Sequence, residues 1–262
     1  MGRSNPNENN VPQNPAKIFA EWKGQGFVYY DKVKKENVAL PKDLKFVVLD
    51  ELNTIKGFHK PSKSGIFSNE VRNLSKETLT VKSFGDGLIA EGFYKEISDK
   101  IKVNGGKFSK SVYVGFLRAD GTLTLGNIAF TGADLGAWFD FTKDLKDNSL
   151  YKGAVQLTGS KEEVNGANHY HVPLFGLIDI SAQTDDLAGE LQITLKEYQK
   201  KYFNAADVTE VAQEELYNPF PDPDVPENQF QDDNGEKELD PKYISQEEID
   251  KNMAGESPPL PF

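Results

Sequence analysis

The sequence predicts a mainly β fold with added helices (α+β), an OB-type Greek-key barrel that leads into a disordered acidic tail. Three observations carry this expectation. The middle of the chain is a series of short β-branched and aromatic runs separated by Gly, Asn and Asp turns. One short helical pattern interrupts the series after its third strand region, which is the element order of an OB-type barrel. Eight of the 14 prolines lie between residues 219 and 261 and three between 6 and 15, so the composition changes sharply at both ends. The predicted organisation is a disordered segment over 1–15, one domain over 16–205 and an acidic tail over 206–262.

The elements follow in order. GFVYYDKV and NVAL read as two strands around a Lys-Lys-Glu-Asn turn. KFVVLDELNTIKGF is β-rich and half apolar, and TLTVKSF and LIAEGF follow it. Phe93, Ile97 and Ile101 recur every four residues, which predicts a short helix ended by Asn104-Gly105-Gly106. SVYVGFLR and TLTLGNIAF form a hairpin around Ala-Asp-Gly. Thr131 and Asp134 have capping-box spacing before an apolar stripe of Leu135, Trp138, Phe139 and Leu145. GAVQLTGSKEEVNGANHYHVPLFGLIDI reads as a second hairpin with SKEEVNGAN as its loop. The last helix is capped by Thr184 and buries Leu187, Leu191, Leu195, Tyr198 and Tyr202; Asp185 and Asp186 suit its start and Lys200 and Lys201 its end.

Charge is unevenly placed. The whole chain carries 30 Lys and Arg against 41 Asp and Glu, a net −11. Residues 206–262 hold 16 acids and 3 bases, net −13, so residues 1–205 are net +2 and residues 1–130 net +6. An acidic protein argues against a nucleic-acid binder, whereas an acidic tail on a basic-leaning body does not. The absence of cysteine excludes disulfides, thiolate metal sites and cysteine nucleophiles, and fits a reducing compartment, the cytoplasm. No apolar run is long enough to span a bilayer, and no signal region opens the chain.

No catalytic or cofactor motif stands up to its context. Gly85-Asp-Gly87-Leu-Ile-Ala90 has the dinucleotide spacing but leads into a strand, so it reads as a β-turn. Gly106-Lys107 is followed by Phe108 and lacks the hydroxyl of a phosphate loop. His169 and His171 share one side of a strand, but no third ligand is near. The expectation is therefore no enzyme, no cofactor and no metal.

Basic residues interleaved with aromatics form the best constellation. Tyr29 and Tyr30 run into Lys32, Lys34 and Lys35. Lys56, Phe58, Lys60 and Lys63 lead to Phe67 and Arg72. Lys107 and Lys110 precede Tyr113 and Arg118. Lysine and arginine attract phosphates with counterion release, and exposed rings stack unpaired bases at about 1–3 kcal/mol each. The loop Lys56–Lys63 is the least core-like of these segments. Strand alternation makes about half of the aromatics core, because Tyr29 and Tyr30 cannot share a face.

Two resemblances rest on these residues. The acidic segment closing on Leu260, Pro261 and Phe262 resembles the tails of single-stranded-DNA-binding proteins of bacteria and phages, although Glu256 is the nearest acid, farther from the tip than in the bacterial pattern. The run Tyr151–Glu163, then Gly166–Tyr170, Val172–Phe175 and the Thr184–Phe203 helix, looks like the C-terminal part of phage-type single-stranded-DNA-binding proteins, and Asn14–Val33 is similar to what precedes their barrel. The resemblance implies an OB-fold, non-specific binding of single-stranded DNA in replication or recombination, and a tail tip that docks on replication and recombination proteins. A virion or scaffold protein that binds a partner through its tail, and a magnesium-dependent nuclease built on scattered carboxylates, are the competing expectations.

Overall fold

A computed structural model describes residues 12–146 and 149–205. Eleven strands and three helices fill them, with a short 3-10 turn at Ser149–Tyr151. The strands are β1 (Ile18–Lys23), β2 (Gly26–Asp31), β3 (Glu36–Ala39), β4 (Lys45–His59), β5 (Ser64–Ser68), β6 (Leu79–Ser83), β7 (Gly87–Gly92), β8 (Gly106–Leu117), β9 (Leu123–Thr131), β10 (Ala154–Asn165) and β11 (Asn168–Ile178). The helices are α1 (Tyr94–Val103), α2 (Ala133–Lys143) and α3 (Ala182–Ala205).

The strands form one mixed sheet in the order β3-β2-β1-β9-β8-β4-β5-β6-β7. The β1–β9 pair runs parallel, and the other ladders are antiparallel. β4 is the axis of the molecule. Its start pairs with β10 through Phe46 and its end with β5 through Lys56–His59, while β8 follows its whole length on the other side. A bulge at Leu49 separates the two halves and bends the strand, as an extra residue in one partner must. The β10–β11 hairpin then curls over the sheet until Trp22 donates its indole N–H to the His171 carbonyl at 2.7 Å. That contact joins one side chain to one backbone carbonyl; among the described residues no ladder joins β11 to β1 or β2, and the sheet is not closed.

Three apolar clusters follow from this curl. The largest fills the concave side, where Phe27, Phe46, Phe116, Phe130 and Trp138 are almost wholly buried. Trp138 of α2 stacks on Phe130 at 4.7 Å, and its indole N–H reaches Glu51 at 2.9 Å, which satisfies the polar end of a buried ring. A second cluster lies under α1, where Tyr94, Ile97 and Ile101 meet Ile66, Leu79 and Val81. The third lies on the opposite face of the sheet, where α3 sets Ala188, Leu195 and Tyr198 on Leu52, Tyr113 and Leu125.

Several local expectations are corrected. Ser181, not Thr184, caps α3, since its hydroxyl accepts the Thr184 N–H at 3.1 Å; the helix runs past Lys200 and Lys201 to Ala205. Only half of the capping box forms: Asp134 accepts the Thr131 N–H, but the Thr131 hydroxyl is engaged with Ser109. Phe93 is the N-terminal cap of α1 and Tyr94 takes its expected place in the core. β10 and β11 run almost to the tip of their hairpin, so the expected long polar loop is strand, paired from Ser160↔Pro173 to Asn165↔Asn168. β1 and β5 were not expected as strands. Gly85–Gly87 does form the turn between β6 and β7. The predicted segment 1–15 falls mostly, and the acidic segment 206–262 wholly, outside the described residues.

Candidate nucleic-acid interface

The site begins with register. In an antiparallel ladder, directly opposed residues share a face. Lys107 of β8 opposes Lys56 of β4, Lys56 opposes Phe67 of β5, Phe67 opposes Lys82 of β6, and Lys82 opposes Leu88 of β7. One line of side chains, Lys107, Lys56, Phe67, Lys82 and Leu88, therefore crosses five strands on one face, roughly 19 Å at the usual strand spacing. Lys107 and Leu88 are exposed and the other three half-buried. Phe84 lies against Phe67 with ring centroids 4.4 Å apart and planes tilted by 30°, so the row carries a pair of rings between two lysines.

Glycines bring the row together. A Cβ on Gly57 would lie 2.2 Å from the Gly105 carbonyl oxygen, and one on Gly105 would lie 2.3 Å from the Phe58 carbonyl oxygen. Gly105 also has φ +86°, which side chains rarely adopt. This close passage lets the turn after α1 deliver β8 onto the end of β4, where Gly57 pairs with Gly106 and Lys56 with Lys107. The Lys60–Lys63 turn closes the same end, with His59 Nδ1 and Ser62 Oγ 2.7 Å apart and Ser62 bonded on to Ser64.

Half-buried acids border the row. Lys107, Ser109, Ser111 and Tyr113 alternate down one face of β8. Glu70 spans the last two: its carboxylate accepts from the Ser111 hydroxyl and, at 2.8 Å, from the Tyr113 hydroxyl. Its backbone N–H donates to the Tyr202 hydroxyl of α3 at 2.8 Å. Burial raises the pKa of Glu70, while those two hydroxyls and Lys56 oppose the rise. Burial lowers the pKa of Lys56, while Glu21 and Glu70 pull it back. Burial also pushes the Tyr113 phenol well up, so it stays a neutral donor. Lys56 thus stands between two acids and supplies field to the row rather than a freely mobile ammonium. Asp134 lies at the other border, its pKa pushed up to about 7 chiefly by loss of water.

The expected contact residues divide into groups. The structure brings Lys56, Phe58, Lys60, Lys63, Phe67 and Lys107 to one end of the sheet. At the opposite end lie Lys32, Lys34 and Lys35 in the β2–β3 turn, roughly 25 Å from Lys107 by strand rise, and Arg118 in the β8–β9 turn, roughly 36 Å from it along β8. Tyr30 is nearer that end too. Tyr29 packs against the concave core. Lys110 points to the other face of β8 and donates to Asn53 at 3.2 Å. Tyr113 has no exposed ring at all, and as a stacking residue it is corrected. Arg72 is corrected likewise: its guanidinium holds Asp50 at 2.9 Å and Gln199 at 3.0 Å and lies 5.3 Å from the Phe203 ring, so it fastens α3. Leu260, Pro261 and Phe262 lie outside the described residues. Lys82, Phe84 and Leu88 are the additions. Their alternation with Val81 and Ser83 marks an outward face in the sequence, but only register places them beside Phe67 and Lys56.

His169 pairs with Glu162 at 2.8 Å and His171 with Gln25 at 3.0 Å, so the two imidazoles look to different partners. Among the described residues no three His, Asp or Glu side chains are grouped to hold a metal ion, and no helix is long and apolar enough to cross a membrane. No protein-family model matches the chain, nor does any curated protein or solved structure.

Proposed function

We propose that the chain is a non-sequence-specific single-stranded-DNA-binding protein of the phage type, built on an OB-type arrangement of β4–β9, which protects and organises unpaired strands during replication or recombination. The observation that carries the reading is the cross-strand row Lys107, Lys56, Phe67, Lys82 and Leu88 with Phe84 packed against its ring. Three lysines flank one half-exposed ring pair there, which suits a ligand that offers phosphates and unpaired bases together. Neither kind of contact reads base edges, so the binding is indifferent to sequence. A row of single side chains on a curved sheet also suits one strand better than a stiff duplex.

The position of α3 supports a second part of the reading. Its last turns lie on Glu70 and Arg72, on the face that carries the row. The segment that leaves it, 206–262, is net −13. Such a segment starts close enough to compete with phosphate for the same cations, and is freed for replication or recombination proteins when a strand binds. Binding of the unpaired state also melts hairpins by mass action.

The experiment is anisotropy of labelled oligo-dT and of a duplex of equal length across a salt series, with the full chain and with residues 1–205. The expected outcome is preference for the single strand, loss of affinity with salt, and tighter binding by the truncated chain at low salt. No retention of oligo-dT at about 50 mM salt, where electrostatic attraction is strong, refutes the reading. Equal affinity of the two chains refutes the competition alone. Degradation of the oligonucleotide on adding Mg²⁺ refutes the non-enzymatic assignment.

A further inference from the structure

We infer that the binding face continues past Lys107 across β9 onto β1, where Lys23 is a further phosphate contact and Glu21 its resident counter-ion. This rests on the nucleic-acid reading of the row and extends that site by two strands.

The geometry follows from two ladders. Ser109 of β8 opposes Thr131 of β9, and their hydroxyls lie 2.6 Å apart. One step inward Ser111 opposes Ala129, and Ala129 opposes Glu21 of β1. Opposed residues share a face, so Glu21 lies on the face that carries Lys107, Ser109 and Ser111. Alternation along β1 sets Lys23 on that face too, beside Thr131 when the β1–β9 ladder is extended by two residues. Ile18, Ala20 and Trp22 take the other side, in or against the concave cluster.

Lys23 and Lys107 are therefore about 12 Å apart, two strand spacings over and two residues along. Between them on this face stand Ser109 and Thr131, short side chains already engaged with each other. α2 leaves Thr131 toward the concave side, where Leu135 and Trp138 are buried. The line from Leu88 to Lys23 crosses seven strands, roughly 29 Å at the usual spacing.

The acids along this stretch differ in what they hold. Glu70 takes the Ser111 and Tyr113 hydroxyls, and Asp134 takes the Thr131 N–H. Glu21 instead is paired with a lysine: its carboxylate lies 2.7 Å from the Lys23 ammonium, with the side chains 33% and 44% exposed. Its charge also acts on Lys56, where it opposes the fall in pKa caused by burial. An exposed ion pair of this kind is weak, worth no more than about fivefold in an equilibrium constant, so a strand with several phosphates displaces it. Lys23 is thus kept neutralised in the empty protein and becomes available when a strand crosses β9.

The test is anisotropy of labelled oligo-dT with the full chain across a salt series. Lys23→Gln should lower affinity roughly three- to tenfold at low salt and reduce the slope of log affinity against log salt by about 0.7, one phosphate of a single strand. Glu21→Gln should raise affinity roughly two- to fivefold. It should also steepen the slope, because the released lysine then carries a counterion of its own to give up. Both side chains are exposed, so the two variants should melt with wild type. Lys42→Gln, an exposed lysine in the turn before β4 at the far end of the sheet, should keep the wild-type slope. Unchanged affinity and slope in Lys23→Gln overturn the inference, and so does an equal loss in Lys42→Gln, which marks a general effect of charge. Unchanged binding by Glu21→Gln overturns the counter-ion role. In each of these cases weaker binding by Lys82→Gln and Phe67→Ala leaves the nucleic-acid reading intact. No retention of oligo-dT by wild type overturns both.

Discussion

Gly57→Ala is the sharpest probe of how the row is assembled. The new Cβ would lie 2.2 Å from the Gly105 carbonyl oxygen and 2.9 Å from the Gly106 Cα, and both contacts are backbone. No side-chain rotation relieves them. Restoring ordinary contact requires β4 and the Gly105–Gly106 turn to part by more than an ångström. That breaks the hydrogen bond from the Phe58 N–H to Gly105, already 3.4 Å long, and loosens the Gly57↔Gly106 pair. Overpacking costs about 1–3 kcal/mol and each lost hydrogen bond about 1 kcal/mol, so a destabilisation of about 2–4 kcal/mol is expected. The displaced ends carry Lys56 and Lys107, so oligo-dT affinity should fall as well, under conditions where the variant is still folded. Urea unfolding followed by tryptophan fluorescence gives the first quantity and anisotropy the second. A variant within 0.5 kcal/mol of wild type, with unchanged affinity, would refute the close-passage argument.

The remaining predictions concern the face itself. Phe67→Ala should weaken oligo-dT binding by about 1–3 kcal/mol, one base's stacking, while costing less stability than loss of a fully buried ring because the side chain is half-exposed; unchanged binding by a folded variant removes Phe67 from the site. Lys82→Gln should reduce the slope of log affinity against log salt by about 0.7, the share of one phosphate contact on a single strand, and an unchanged slope excludes Lys82. Asp134→Asn should alter the pH dependence of stability. The folded pKa of about 7 lies above the ordinary aspartate value of 3.8, so the native state holds the extra proton between those values and wild-type stability falls as pH rises through that window. The substitution should therefore recover up to about 4 kcal/mol at pH 8 relative to pH 4, read as a flatter melting temperature across that range; parallel profiles for the two proteins refute it.

Elements with a strong local signal were legible in the sequence. β8 and β9 were plain from alternation around Ala119-Asp120-Gly121, and α1 from Ile97 and Ile101 before a Gly pair. β1 was not, although Gly24-Gln25 is its tight turn to β2, because Ile18-Phe19-Ala20 breaks the alternation that marks a strand, and its other neighbour, β9, lies more than a hundred residues later. The β10–β11 loop was misread because Ser160–Asn165 is polar on both faces once the hairpin projects from the core, and polarity there marks exposure, not irregular backbone. The candidate site was half legible for the same reason. Lys56, Phe67 and Lys107 stand in basic–aromatic runs, but Lys82 and Phe84 join them only across ladders. Tyr113 was misjudged because its neighbours Lys110 and Arg118 are polar, whereas its own ring faces α3 and its hydroxyl is consumed by Glu70.

The parallel β1–β9 pair has a consequence for the order in which the molecule is made. β2 and β3 can close on each other as soon as the Lys32–Lys35 turn is synthesised, and β1 can join them. The inner edge of β1 then waits for residues 123–131 before its amides find partners. Closing so long a loop is an entropic step that no early contact repays. A nascent chain therefore carries an open strand edge for most of its synthesis, ready to pair with a neighbouring chain on the same message. The final step of synthesis of the domain, α3, covers the other face, so assembly is expected to be slow, late and sensitive to crowding by copies of itself, and refolding rate rather than stability is where a change in β1 would register.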